Sequence, residues 1–131
     1  ESYLQRKCIL PINGYYEWSL IQNKKIPFFI NIPPSEPMYL ACIWKYVNIN
    51  ENNDKVFTII TKKANNKLID IHDRMPVVLS IEESINYLHD DNSLFLQNNF
   101  SSIIEPELDF YSVSSFVNSP LNNSKVCIKR A

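Results

Sequence analysis

The sequence predicts an α+β, sheet-dominated fold with a barrel-like β core and a few short helices. Three observations carry this expectation. Apolar residues fall in short runs of strand length, several of them alternating with polar residues at a period of two. These runs are bounded by proline, asparagine and glycine, the residues that end strands and shape turns. The strongest helix-start signature is Ser80-x-x-Glu83, in which serine and glutamate cap each other's backbone amides.

Cys8 to Ile12 reads as a short apolar strand stopped by Asn13-Gly14. Tyr15 to Leu20 follows as a strand with Tyr15 and Glu17 on one face and Tyr16 and Trp18 on the other. The polar turn Gln22-Asn23-Lys24-Lys25 joins it to a second strand, Ile26 to Ile32, which makes a hairpin. Pro33, Pro34 and Pro37 then enforce a loop. Tyr39 to Val47 and Val56 to Thr61 are further strands, separated by the polar Asn48–Asp54 linker. Ala64 to Leu68 suits a helical turn and Met75 to Leu79 a buried strand. In the helix opened by Ser80, Ile81, Ile85 and Leu88 share the apolar face. Ser93 to Asn99 is expected to be helical, Phe110 to Val117 a strand, and Lys125 to Ile128 another. No repeat or internal domain boundary interrupts this pattern.

A chain of 131 residues supplies one domain or part of one, and 45% hydrophobic and 12% aromatic content argue for a packed core. One glycine in 131 leaves no material for a glycine-rich phosphate cradle, so no nucleotide cofactor is expected. A net charge of −1 is not that of a dedicated duplex-DNA binder. Any nucleic-acid contact has to use a local patch, for which Arg6, Lys7, Lys62, Lys63, Lys67 and Arg74 are the candidates. The plainer reading of the same residues is a solvated charged face.

Cys8, Cys42 and Cys127 are widely spaced, form no CxxC pair and stand apart from both histidines. No metal site is expected from them; they read as reduced thiols of an intracellular protein. The sequence contains no signal peptide, transmembrane run or lipidation motif, so no membrane association is expected. It begins at Glu1 without a methionine, from which we expect a piece of a longer protein.

Two segments carry chemistry at a cost that bland packing does not require. In Gly14-Tyr15-Tyr16-Glu17-Trp18, a carboxylate sits within a half-buried strand, where burial favours its neutral form unless it is paired or functional. In Ile71-His72-Asp73-Arg74-Met75-Pro76, an imidazole able to exchange protons near neutral pH is followed by an acid and a guanidinium. If that segment is extended, His72 and Arg74 share a face, and Arg74 suits a phosphate. The structural alternatives are a solvent-facing Glu17, a core His72 bonded to a carbonyl, and an Arg74 paired with Asp70 or Asp73. Trp18 offers a flat surface for an unpaired base; Trp44 offers another, although core packing is the expectation for it. His89, at a polar helix end, reads as a solvated C-terminal histidine.

These two segments resemble the signature of the SRAP (SOS response-associated peptidase) domain. The resemblance extends from Arg6 to about Val126 and is strongest over Lys7–Trp18 and Thr58–Leu79. It implies capture of abasic sites in single-stranded DNA. In that family the nucleophile is an N-terminal cysteine. Its α-amine forms a Schiff base with the ring-opened sugar, and its thiolate then closes a thiazolidine. An α-amine titrating at about 7.7–8.0 keeps a useful unprotonated fraction at neutral pH. The resemblance assigns Glu17 to proton transfer at the amine and His72 to opening of the deoxyribose ring. It places Thr61, Arg74 and Trp18 against the DNA, and Val117-Asn118-Ser119-Pro120-Leu121-Asn122 as support near the site. The chain starts Glu1-Ser2-Tyr3, so the cysteine and an active-site asparagine are expected ahead of it. Cys8 matches instead the cysteine before the family's Ile/Leu-Pro step. Two other classes stay open: a non-catalytic single-strand-binding module, and a peptidase confined to removing its own leading residue. A Met-Cys start in the parent reading frame separates the crosslinker from the binding module.

Overall fold

The computed structural model describes residues 6–89 and 101–131. In chain order the strands are β1 (Lys7–Ile12), β2 (Tyr15–Ile21), β3 (Lys24–Asn31), β4 (Met38–Ile49), β5 (Asn52–Ile59), β6 (Thr61–Lys63), β7 (Arg74–Pro76), β8 (Val78–Leu79) and β9 (Asp109–Ser112). Helix α1 spans Ile81–His89, and short 3-10 turns occupy Glu105–Glu107, Ser115–Asn118 and Lys125–Ile128. The fold is sheet-dominated, as expected. The helix expected at Ser93–Asn99 lies outside the described residues.

Over the described residues the chain divides into two compact units, each drawn from three stretches. The first comprises Glu1–Ile12, Met38–Lys62 and Pro76–Glu105; the second comprises Asn13–Pro37, Lys63–Met75 and Pro106–Ala131.

The first unit is organised by β4, which pairs antiparallel with β1, with β5 and with β8. Ala41, Val77, Leu79 and Tyr87 form its core, with Ile9, Tyr39 and Ile60 packed against them. The β4–β5 connection is tighter than the expected polar linker. Asn50 and Glu51 alone turn the chain, with φ of 51° and 68°. Two left-handed residues match the twist of a two-residue hairpin, and Asn48, Asn52, Asn53 and Asp54 therefore lie within strands or at their ends.

The capping box on α1 is formed as expected: Ser80 N donates to Glu83 Oε1 at 2.9 Å and Glu83 N to Ser80 Oγ at 3.1 Å. The buried face is not the expected one. Ile81, Ile85 and Leu88 are 57%, 52% and 42% exposed, while Ser84 and Tyr87 point inward. Tyr87 buries its ring and donates its hydroxyl to Cys42 O at 2.9 Å. An aromatic residue with a polar tip wins this contact over three aliphatics, which periodicity of apolar residues does not foresee.

The second unit holds β2, β3 and β9, with β3 in the middle. Its hairpin turns on Gln22 and Asn23, with φ of 50° and 63°, so Lys24 and Lys25 belong to β3. Tyr16, Phe29 and Tyr111 pack in series, tilted and then edge to face, with ring centroids 5.3 and 5.8 Å apart. Gly14 owes its identity to this packing. A Cβ there would stand 2.2 Å from Phe29 Cζ and 2.9 Å from Ile30 O.

Three expectations about the sheets are corrected. The strands form separate open sheets (β1-β4-β5 with β8, β2-β3-β9, and β6-β7), so the barrel-like core is not supported. Phe110–Val117 is not one strand: β9 ends at Ser112 and a 3-10 turn capped by Ser114 follows. Lys125–Ile128 is likewise a 3-10 turn. Serines and asparagines near both stretches offer local hydrogen bonds that compete with strand pairing.

Candidate functional site

Strand β2 carries Glu17. It is an edge strand, which lets residues from both of its faces border one cavity of about 650 Å³. Glu17, Trp18, Leu20, Lys25, Ile71, His72 and Asn118 line it, and all seven belong to the second unit. Glu17 is half-buried, and its Oε1 accepts from Trp18 N at 3.2 Å.

The turn carrying His72 is built from its own sequence. Asn65 Oδ1 accepts from Lys67 N and Leu68 N at 3.1 and 3.0 Å, starting a helical turn as expected for this stretch. Ile69 N donates to Asn65 O at 3.0 Å and His72 N to Leu68 O at 3.2 Å. Buried Leu68 and Ile71 anchor the turn from within. Buried Ser19 in β2 then donates its hydroxyl to Asp70 O at 3.3 Å, tying the strand of Glu17 to the turn of His72.

His72 is exposed, and its Nδ1 accepts from Arg74 N at 3.1 Å. With Nδ1 accepting, the proton of the neutral ring sits on Nε2. The same Nδ1 lies 3.2 Å from Asp73 Oδ1, a contact that requires a proton on Nδ1. The two contacts therefore belong to two proton placements on one ring. The segment is a turn, not the extended chain assumed above, and Arg74 reaches His72 through its backbone rather than by sharing its face.

Trp18 is held on edge. Its indole Nε1 donates to Asn118 Oδ1 at 2.8 Å, and its ring lies 6.4 Å from that of Tyr16, tilted by 44°. Trp18 also borders a second concavity, shared with Tyr16 and residues from Val117 to Ile128. Tyr16 donates to Cys127 O at 3.1 Å, and burial raises its phenol above the usual range, with Cys127 and Tyr111 adding to the effect.

The candidate residues are thus distributed unevenly. Glu17, Trp18 and His72 come together in one cavity. Arg74 opens β7 in the same unit, while Thr61 opens β6 in the other unit and is exposed. The candidate basic patch is dispersed too: Lys62 is paired with Glu105 at 2.5 Å, and Arg6 lies over Trp44. Two polar lining residues escaped the sequence reading as site residues. Asn118 was placed only as nearby support, and Lys25 was assigned to a turn. The hairpin register Leu20↔Lys25 brings Lys25 here, and a two-residue turn at Gln22-Asn23 would have shown it. Among the described residues, no cluster of three or more His, Cys, Asp or Glu could hold a metal ion. No described helix is long and apolar enough to cross a membrane.

The chain resembles several known proteins. "Abasic site processing protein YoqW" of Bacillus subtilis is 37% identical over 130 residues, which cover 96% of this chain and 58% of that protein. "Abasic site processing protein YedK" of Escherichia coli is 35% identical over 87 residues, 66% of this chain and 39% of that one. "Abasic site processing protein HMCES" of Pongo abelii is 28% identical over 152 aligned positions, covering 94% and 43%. The chain therefore spans less than two thirds of the length of these relatives. A crystal structure of a Bacteroides thetaiotaomicron protein has the same fold, with a TM-score of 0.80 at 24% identity, covering 99% of this chain and 59% of that one. The family model for SOS response associated peptidase (SRAP) matches residues 1–120, and the chain belongs to that family.

Proposed function

We propose that this chain is the larger part of a protein that processes abasic sites in single-stranded DNA by covalent capture. The observation that carries the reading is the convergence of Glu17 and His72, far apart in sequence, on one cavity beside Trp18. The relatives are named abasic site processing proteins, which supports the abasic site as substrate. In this reading the nucleophile is an N-terminal cysteine supplied by residues ahead of Glu1.

The ring-closed sugar is unreactive, so the first step is opening to the aldehyde: His72 delivers a proton to the departing ring oxygen while the C1′ hydroxyl gives up its proton to water. The cysteine α-amine adds to the aldehyde carbon, and loss of water gives the imine. Glu17 takes a proton from the attacking amine and returns one to the departing hydroxyl. The thiolate then adds to the imine carbon, the nitrogen takes up a proton, and a thiazolidine ring links protein to DNA. Trp18 stacks on a flanking base, Arg74 and Lys25 meet flanking phosphates, and Thr61 contacts the strand through its hydroxyl.

The test is incubation of the full-length protein and of the 131-residue chain with an abasic oligonucleotide, followed by a denaturing gel. A slow-migrating adduct is expected with the full-length protein and none with the 131-residue chain. An adduct formed by the shorter chain would remove the N-terminal nucleophile from the mechanism. Binding without any adduct would leave a single-strand-binding module.

A further inference from the structure

The β4–β5 hairpin of the first unit presents an aromatic and cationic surface that the chemistry above does not use. Trp44 faces Phe57 across the ladder, and Tyr46 faces Lys55. Lys55 Nζ lies 4.7 Å from the Trp44 ring centre and 5.6 Å from that of Tyr46. The Arg6 guanidinium lies 5.5 and 6.0 Å from the same two rings. The rings meet edge to face at 5.2 Å. Trp44 was expected in the core; it is instead half-buried, and Tyr46 and Phe57 are each 54% exposed. A concavity of about 310 Å³ opens beside them, lined by Cys8, Trp44, Lys55, Val56 and Phe57.

We propose that this hairpin face is a second binding platform for single-stranded nucleic acid. The cation–π contacts fix Arg6 and Lys55 beside the rings, so charge and flat apolar surface are presented together. A single strand offers the complementary pair: unpaired bases that stack on aromatic rings, and phosphates spaced between them that take up the cations. An apolar protein partner would match Tyr46 and Phe57 but would bury Arg6 and Lys55 without a counter-charge, which is costly. The strand geometry adds to the match. Trp44 and Tyr46 are two residues apart on one face, with Phe57 opposite Trp44, so rings project in a row toward one side. The inference rests on the proposed function only for the identity of the strand; undamaged oligonucleotide is the probe.

The experiment measures binding of fluorescein-labelled dT30 to the full-length protein by anisotropy across a sodium chloride series. Tyr46→Ala with Phe57→Ala is expected to weaken binding at least tenfold, with little change in salt dependence. Lys55→Gln, an exposed change that leaves the rings in place, is expected to lower the slope of log K against log salt by about one. Crosslinking of a short abasic hexamer at saturating protein should proceed at the wild-type rate in both variants. Wild-type dT30 affinity and salt slope in variants that melt normally would overturn the platform. So would a loss of self-association with unchanged dT30 binding, which assigns the face to contacts between copies. If the hexamer gives no adduct even with the wild-type protein, the proposed function fails, while the dT30 result still judges this face.

Discussion

His72 Nδ1 accepts a hydrogen bond from the backbone N–H of Arg74 at 3.1 Å and lies 3.2 Å from the Asp73 carboxylate. That ring nitrogen thus has a partner whether or not it carries a proton, and neither contact occupies Nε2. Asp73 is 83% exposed at its side chain, so the ion pair adds little to stability. Moving a proton on or off Nδ1 exchanges one of these partners for the other without the turn being rebuilt.

The first prediction follows. In the full-length protein, Glu17→Gln preserves shape and hydrogen bonding but cannot carry protons, and His72→Ala removes the imidazole. Each should slow single-turnover crosslinking by about 10²–10⁴-fold while leaving DNA affinity nearly unchanged. A wild-type rate for a stably folded Glu17→Gln protein ends the assignment of that residue. A melting temperature that falls in step with rate would make His72 a packing residue.

The second prediction separates stacking from charge. Trp18→Ala should cost about 1–3 kcal/mol in single-strand binding, with little change in salt slope. Asn118→Ala removes the acceptor that orients the indole and should produce a smaller loss of the same kind. Arg74→Ala should reduce the salt slope by about one. An unchanged slope would confine that arginine to contacts within the protein.

The third prediction concerns Gly14. Gly14→Ala must displace Phe29 and press on the carbonyl of Ile30, a backbone atom that cannot rotate away. We expect destabilisation of about 1–3 kcal/mol, read as a lower urea midpoint at constant m-value. Phe29→Leu should recover part of it, since the nearest clash is with the ring edge. No recovery would place the strain at Ile30 instead.

A fourth prediction uses Cys42, whose thiol burial pushes up to about 11, with the adjacent Cys8 adding to the effect. The fold retains the thiol proton where the unfolded chain has already lost it. This contribution to stability is complete below pH 9 and is lost as pH rises to 11. Thermal melts from pH 8 to 11 should show that decline, and Cys42→Ala should flatten it. Equal slopes for the two proteins would show that other groups control the alkaline limb.

Much of the fold was legible because its signals were local. The capping box at Ser80 and Glu83, the strand from Tyr15 and the turn at Asn65 each depend on residues a few positions apart. What escaped was long-range. Nothing near Trp18 announces that Asn118 will accept its indole proton, and nothing near Ile81 announces that Tyr87 will claim the helix's inner face. The barrel failed for the same reason, since closure depends on which edges pair and not on how many strands exist. Glu17 and His72 were singled out by the chemical cost written at each position together with the family resemblance, and the structure places both at one cavity. Lys25 was missed because its place depends on a turn read two residues too long.

The second unit is threaded from three stretches, and its cavity takes one wall from each: Glu17 from the first, His72 from the second and Asn118 from the third. During synthesis, then, the acid leaves the ribosome roughly a hundred residues before the asparagine that completes the pocket. Until that last stretch arrives there is a hairpin and a turn but no site, and a nascent chain halted before it would carry Glu17 and His72 without the wall that orients Trp18. Such order-of-appearance control favours late, cooperative assembly over stepwise activity. Arrested chains of increasing length should show the Trp18 indole shielded from solvent quenching only after Asn118 has cleared the exit tunnel.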